Sequence, residues 1–210
     1  MTGAEGEIAT LFLAGLAGYL IGSTPVGALL AKAFGLGDLR AVGSGNIGAS
    51  NVLRTGNRLA ALLTLVLDAA KGAVPALVAA HVWPGGVEAG AAAGLGAFLG
   101  HCFSIYLGFW GGKGVATGFG AFLAWRWEIA ALCALVWLAT ALATKRSSAA
   151  SLATTAAALI LFPAFGEWTL LAFVAPMAAV LVWRHRGNID RLLKGEEPKI
   201  RLRRDAGEKA

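Results

Sequence analysis

Four short polar stretches separate long apolar ones in this chain, and their residue types suit the handling of phosphate. Residues 43–57 read GSGNIGASNVLRTGN. The glycines, Gly45 among them, let backbone N–H groups approach an anion, and Ser44, Asn46, Ser50 and Asn51 add short polar groups. Arg54 adds a planar fork that can hold phosphate through two parallel bonds. A helix beginning near Ala49 would turn its positive end toward the same charge. A flexible polar loop between two apolar helices is the plain alternative. So many small polar groups in one loop with an arginine favour an anion site.

Residues 108–117, GFWGGKGVAT, place Lys113 beside Gly111, Gly112 and Gly114, a point charge next to open backbone donors. The order GxxxxGKS/T of a nucleotide-binding loop is missing, and no acidic magnesium partner accompanies it, so ATP hydrolysis is not expected. Residues 145–151, KRSSAAS, set two cations beside hydroxyls, with Ser148 and Ser151 on one face if the stretch is helical. Helix capping and membrane topology would explain that stretch equally well. The fourth stretch, HRGNIDRL from His185, spaces His185 and Asn188 three apart, so a helix would put them on one face. Its HxxxxD spacing to Asp190 matches another acyltransferase class, but that spacing arises easily by chance.

The intervening segments decide the setting. Of 210 residues, 57% are hydrophobic and 14% charged, against about 45–50% and 25% in an ordinary soluble domain. The excess is gathered into seven segments, 8–31, 59–80, 87–109, 115–124, 129–143, 148–162 and 168–183. The expectation is an all-α integral membrane protein of seven transmembrane helices. The fourth is short, about 15 Å at roughly 1.5 Å per residue, and must tilt or borrow from its flanks. With seven spans, Lys32, Arg40, Arg54, Arg58, Lys113, Lys145, Arg146 and nine basic residues between 184 and 209 share one side. Arg126 alone falls on the other, with Glu5, Glu7, Glu88, Glu128 and Glu167. The excess of positive charge marks the cytoplasmic side. That puts the amino terminus outside and the carboxyl terminus in the cytoplasm, in a single polytopic domain over 1–196 with a basic cytoplasmic tail over 197–210. Topology thus accounts for the net charge of +6, and nucleic acid is not an expected partner.

Inside the second segment, Asp68 and Lys71 stand one turn apart, and intramembrane charges usually pair or line a cavity. An ion pair supporting the site is expected. Cys102 and Cys133 lack ligand-like spacing and read as small packing residues. The run GAAAGLGAFLG over 90–100 reads as close helix packing through small side chains.

The blocks GSGNIGASNVLRTGN, GHCFSIYLGFWGGKGVATGFG and HRGNIDRLLKG, in this order, resemble the three signature blocks of the bacterial acyl-phosphate:glycerol-3-phosphate acyltransferases, the PlsY type. DAAKG at 68–72 and SSAAS at 147–151 extend the likeness over nearly the whole chain. The resemblance implies seven helices in a bacterial plasma (inner) membrane and an active site facing the cytoplasm. It also implies transfer of a fatty acyl group from acyl phosphate to the 1-hydroxyl of sn-glycerol 3-phosphate. The products would be lysophosphatidic acid and inorganic phosphate, the first step of phospholipid biosynthesis. No cofactor, metal, acyl-CoA or acyl carrier protein is implied; membrane lipid and the enzyme that makes acyl phosphate are the implied partners.

Residue by residue, Ser44, Gly45, Asn46, Ser50 and Arg54 match the first block of that family, Lys113 the second, and His185 and Asn188 the third. Ser148 and Ser151 both fall on its serines, Ser151 being the favoured site residue. Arg54, Lys113, His185 and Asn188 are the expected catalytic set. Ile47 and Ser104 replace usual prolines, Ser50 a threonine and Trp110 a lysine. Direct attack by the glycerol hydroxyl is expected, with the proton passing either to His185 or to the donor's own phosphate. An organic-phosphate transporter would need more polar residues at midplane than Asp68 and Lys71. A CDP-alcohol phosphotransferase would need an acidic metal cluster these loops lack.

Overall fold

The computed structural model describes residues 3–200 and contains helices but no strand among them. The helices are α1 (Gly3–Gly22), α2 (Val26–Ala33), α3 (Ala49–Val52), α4 (Arg58–Val82), α5 (Gly86–Cys102), α6 (Val115–Trp125), α7 (Trp127–Thr144), α8 (Ser147–Ala164), α9 (Trp168–Arg184) and α10 (Arg186–Leu193). Five stretches are long and apolar enough to cross a bilayer: Gly3–Ala33, Arg58–Val82, Gly86–Leu107, Trp127–Thr144 and Ser147–Ala164. The pair α9 and α10, bent by 58°, makes a sixth if taken together, and α6 is a shorter apolar helix. Their outer faces stay apolar, with Leu62, Val66, Leu135 and Leu142 exposed. In water that would be a large exposed patch; in lipid it is the solvated surface.

The first apolar segment is not one helix. It breaks between Gly22 and Val26, and the Thr24 carbonyl freed there accepts from Lys71 Nζ at 2.9 Å. The stretch 115–144 also divides, at Arg126, as its charged and aromatic residues foretold. Chain direction follows from what the ends touch. The start of α6 follows Lys113, while Arg146, just beyond α7, reaches the carbonyl of Glu197 near the same cavity. At the other end of the bundle Arg126 pairs with Glu167, ahead of α9, and Trp125 Nε1 donates to the Gly90 carbonyl at 3.2 Å. The loops after α2, α5, α7 and α9 therefore meet at one end.

Small residues bring the helices together. A Cβ on Gly18 or Gly22 of α1 would overlap the backbone of Ala93 or Ala97 of α5, and one on Gly96 would overlap Gly15. The expected close packing through 90–100 is thus present. Gly72 and Gly120 do the same between α4 and α6, against Thr117 and Ala69. Without bulky side chains the helix backbones touch directly, giving dispersion contact where lipid offers no hydrophobic drive. A second core of Phe98, Phe122, Ile129, Phe162, Leu170 and Val174 fills the space between α5 and α9.

Candidate active site

The first loop is shaped by Asn51. Its Oδ1 accepts from the Ser44 N–H at 3.1 Å, and its Nδ2 donates to the Leu39 carbonyl at 2.8 Å. Being 1% exposed, it pins the loop rather than reaching out of it. Gly43, at φ +54°, leaves room for Arg54, whose Cδ would lie 2.7 Å from a Cβ there. Helix α3 does begin at Ala49, but it runs for only four residues. Gly45 has its N–H on the Val42 carbonyl at 2.9 Å.

The second loop is held at four points. Gly111 N–H donates to the Cys102 carbonyl at 3.1 Å and Gly112 N–H to that of His101 at 2.9 Å. Both carbonyls of this glycine pair accept from Arg184, Nε reaching Gly112 at 2.9 Å and a terminal nitrogen reaching Gly111. The expectation that Gly111 and Gly112 offer free donors to phosphate therefore needs correcting: both amides already have partners. Beneath Gly112 lies the ring of His101, which a Cβ there would strike. That ring faces Asp68 at 3.5 Å, and Asp68 pairs with Lys71 at 2.9 Å. The expected ion pair is present, and it belongs to a buried row linking the α1–α2 break to this loop.

Lys113, the next residue, donates to Asn188 Oδ1. Asn188 in turn donates through Nδ2 to Glu197 Oε1 at 2.6 Å, fixing which way its amide points. Ser148 Oγ donates to the same oxygen at 2.7 Å, and Arg191 Nε to Glu197 Oε2 at 2.8 Å. Burial would push the Glu197 carboxyl up, but these bonds and the Arg191 charge hold it below the ordinary range. Glu197 is the first residue of the expected basic cytoplasmic tail. It is instead 6% exposed, and the Ile200 N–H continues onto the Lys145 carbonyl at 2.7 Å, so packing runs past residue 196. Residues 201–210, the rest of the expected tail, lie outside the described residues.

Desolvation lowers Lys113 to a pKa of about 8, with Glu197 pulling the other way and Arg191, Arg184 and Arg54 adding to the fall. His185 lies at the break after α9, beyond the apolar helix. Burial lowers it to about 4, Lys113 adding to the effect. Its Nδ1–H donates to the Leu181 carbonyl, 2.9 Å away, and the lowered pKa keeps the ring neutral near pH 7.

These groups surround one cavity of about 520 Å³. Ser44, Asn46, Ser50, Asn51, Arg54, Lys113, Ser148, Ser151 and Asn188 line it, joined by Arg191 and Glu197, which sequence reasoning missed. Gly45, Gly111, Gly112 and His185 do not line it. Leu65, Val115, Phe119, Ala134 and Trp137 form its apolar wall. Leu65 is 49% exposed, so that wall continues onto the lipid-facing side of α4. Ser151 sits by this wall, donating to the Ser147 carbonyl at 2.8 Å and accepting from Trp137 at 3.4 Å. Trp110 is exposed outside the cavity, and its carbonyl accepts from Arg40 at 3.2 Å. The only sequence signal for Glu197 was an acid close behind a basic amphipathic helix.

Apolar helices around a pocket lined by both cations and apolar side chains define the class of a helical integral membrane protein with an anion-suited cavity. Residues 12–195 match the family described as glycerol-3-phosphate acyltransferase. A glycerol-3-phosphate acyltransferase of Jannaschia sp. (strain CCS1) is 53% identical over 192 residues, 90% of this chain and 93% of that one. Another, of Roseobacter denitrificans, is 50% identical over 196 residues, 93% of this chain and 97% of that one. Among solved structures, PlsY (YgiH), an integral membrane glycerol 3-phosphate acyltransferase, is similar in its glycerol 3-phosphate form with a TM-score of 0.85. It is 37% identical, covering 90% of this chain and 94% of that one. Its lysophosphatidic acid form gives 0.81 at 36% identity, covering 91% of this chain and 95% of the other. The chain belongs to the glycerol-3-phosphate acyltransferase family and is an integral membrane protein of the PlsY type.

Proposed function

We propose that this protein transfers a fatty acyl group from acyl phosphate to the 1-hydroxyl of sn-glycerol 3-phosphate, releasing lysophosphatidic acid and inorganic phosphate. The observation that carries the reading is one cavity lined both by cations, Arg54 and Lys113 from the loops, and by an apolar wall of Leu65, Phe119 and Trp137 from the helices. Only a substrate with a phosphate head and a long apolar body uses both. A transporter of small organic phosphates has no use for the apolar wall.

Arg54 and Lys113 hold the phosphates and neutralise charge as the hydroxyl attacks the acyl carbonyl carbon. The new C–O ester bond forms, the carbonyl–oxygen bond to phosphate breaks, and phosphate leaves as a good leaving group. Most of the gain then comes from positioning and fixed charge. For the proton, the geometry favours the departing phosphate over His185. His185 is buried off the cavity wall, and its low pKa makes it a weak base near neutrality. Glu197 is a poor base for the same reason, with three donors already upon it.

The proposal places seven crossings in a bacterial plasma membrane, α6 being the short one, with the cavity toward the cytoplasm. The alternating ends of α4 to α9 and the cations around the cavity support that topology. The test is purified protein in detergent with acyl phosphate, glycerol 3-phosphate and a chelator, following phosphate release. Release that requires glycerol 3-phosphate is expected. Phosphate release with no dependence on glycerol 3-phosphate, or turnover with acyl-CoA alone, overturns the donor and acceptor assignment.

A further inference from the structure

We propose that Arg184 is a positioning residue for Lys113, its guanidinium fixing the two peptide carbonyls that aim the lysine into the cavity. Gly111 and Gly112 have no side chains with which to hold a conformation, so the path into Lys113 is set by what their backbone groups meet. The amides meet the end of α5, at His101 and Cys102. The carbonyls meet Arg184, the last residue of α9. Four residues on, Asn188 accepts from the Lys113 ammonium itself. The junction of α9 and α10 thus grips the loop twice, once at its backbone and once at the tip of its lysine.

Arg184 has little freedom to leave. Its guanidinium carbon sits 5.9 Å from the ring centre of Phe103 and 5.8 Å from that of Trp183, within cation–π range. Arg184 is absent from the cavity lining, so it acts through Lys113 rather than on substrate. A planar fork serves two consecutive carbonyls at once, which a lysine ammonium on a flexible stem cannot do equally well. Arg184 also has an electrostatic effect. The charged groups around Lys113 are Glu197, Arg191, Arg184 and Arg54, beside neutral His185 and Asn188. Among them Arg184 is one of three cations that make the ammonium easier to deprotonate.

The inference rests on the reading of Lys113 as a phosphate-holding cation, so the test carries K113A as a reference. Full-length wild type, R184K, R184Q and K113A are purified in detergent, checked for a monodisperse peak and melting point, and assayed from neutral to alkaline pH. R184K keeps the charge and stem and so stays informative even where R184Q folds poorly. The loss of one charge-assisted bond predicts that R184K falls roughly tenfold in kcat/KM. Its alkaline limb should stay where the wild type's is, near 8. R184Q is expected to fall further, with its limb moved to higher pH because a neighbouring cation is gone. A role in folding alone would lower the amount of folded protein and leave the limb in place. K113A inactive while both Arg184 variants match wild type overturns the Arg184 proposal alone. K113A retaining wild-type activity overturns the phosphate role of Lys113, and this inference with it. R184Q losing activity only in proportion to folded protein, its limb unmoved, also overturns the Arg184 role.

Discussion

Lys113 carries a conditional charge, and a role in holding phosphate would make activity follow that charge with pH. Desolvation brings its pKa to about 8, so the ammonium persists at neutral pH and is lost as pH rises through that value. A phosphate-holding role for the protonated form predicts that kcat/KM falls on the alkaline side of about 8, read from a pH–rate profile of phosphate release. K113R, whose guanidinium does not deprotonate, should lack that limb while turning over more slowly, because its longer fork misses Asn188. His185 presents the opposite case, a residue whose type suggests chemistry but which is buried and does not line the cavity. H185Q and H185A are expected to keep kcat at saturating substrate within about tenfold of wild type. Removal of a true general base costs about 10²–10⁴-fold. A loss of that size in folded H185Q would restore the histidine as the proton acceptor.

The helices set the spacing of these residues through glycine. Gly120 lets α6 lie against the Ala69 backbone of α4, and α6 begins two residues after Lys113. G120A should force the pair apart, at a cost on the order of 1–3 kcal/mol as for overpacked cores. Both melting temperature and activity per folded molecule should drop, because the displaced helix carries the lysine loop. G18A strains the α1–α5 contact toward the other end, against Ala93. There the melting temperature should fall while the folded fraction keeps its activity. G6A, with open space around it, serves as the control. Equal loss of specific activity in G18A and G120A would mean that packing reaches the site through the whole bundle rather than through α6.

At the scale of the whole molecule, the chain closes the site with its last described turns. Glu197 joins Ser148 of α8 to Asn188 and Arg191 of α10, tying the start of α8 to a stretch of chain some 49 residues further on. Its depressed pKa means that the carboxylate stabilises the fold above its ordinary value of 4.5, and that this contribution is lost as pH falls. E197Q should therefore melt below wild type at neutral pH, with the gap narrowing on acidification; a gap that widens there contradicts the linkage. E197A, which also leaves Asn188 Nδ2 without its acceptor, should lose more than E197Q. Membrane sidedness is tested separately. Cysteines introduced at Ser44 and Gly187 should react with an impermeant thiol reagent only in inside-out vesicles, and those at Gly85 and Gly166 only in right-side-out cells. Ser44 and Gly187 on opposite sides would end the seven-crossing topology.

Much of this was legible in the sequence because it depends on local composition. Apolar runs must be helical in lipid, where every backbone polar group needs an internal partner, and basic residues between the runs mark sidedness. The break at Arg126, the pairing of Asp68 with Lys71, and the presence of Arg54, Lys113 and Asn188 around one cavity all followed from residue type and spacing. Which polar groups remain free for a ligand did not follow. Gly111 and Gly112 look like phosphate donors until His101, Cys102 and Arg184 are seen to engage them, and nothing in the spacing of His185 foretells that it is buried. Glu197 looked like tail. Those assignments depend on contacts between residues tens of positions apart, such as Lys113 with Asn188 and Ser148 with Glu197. Only tertiary packing decides which distant partner reaches a hydrogen-bonding group first, and so which groups are left to meet a substrate.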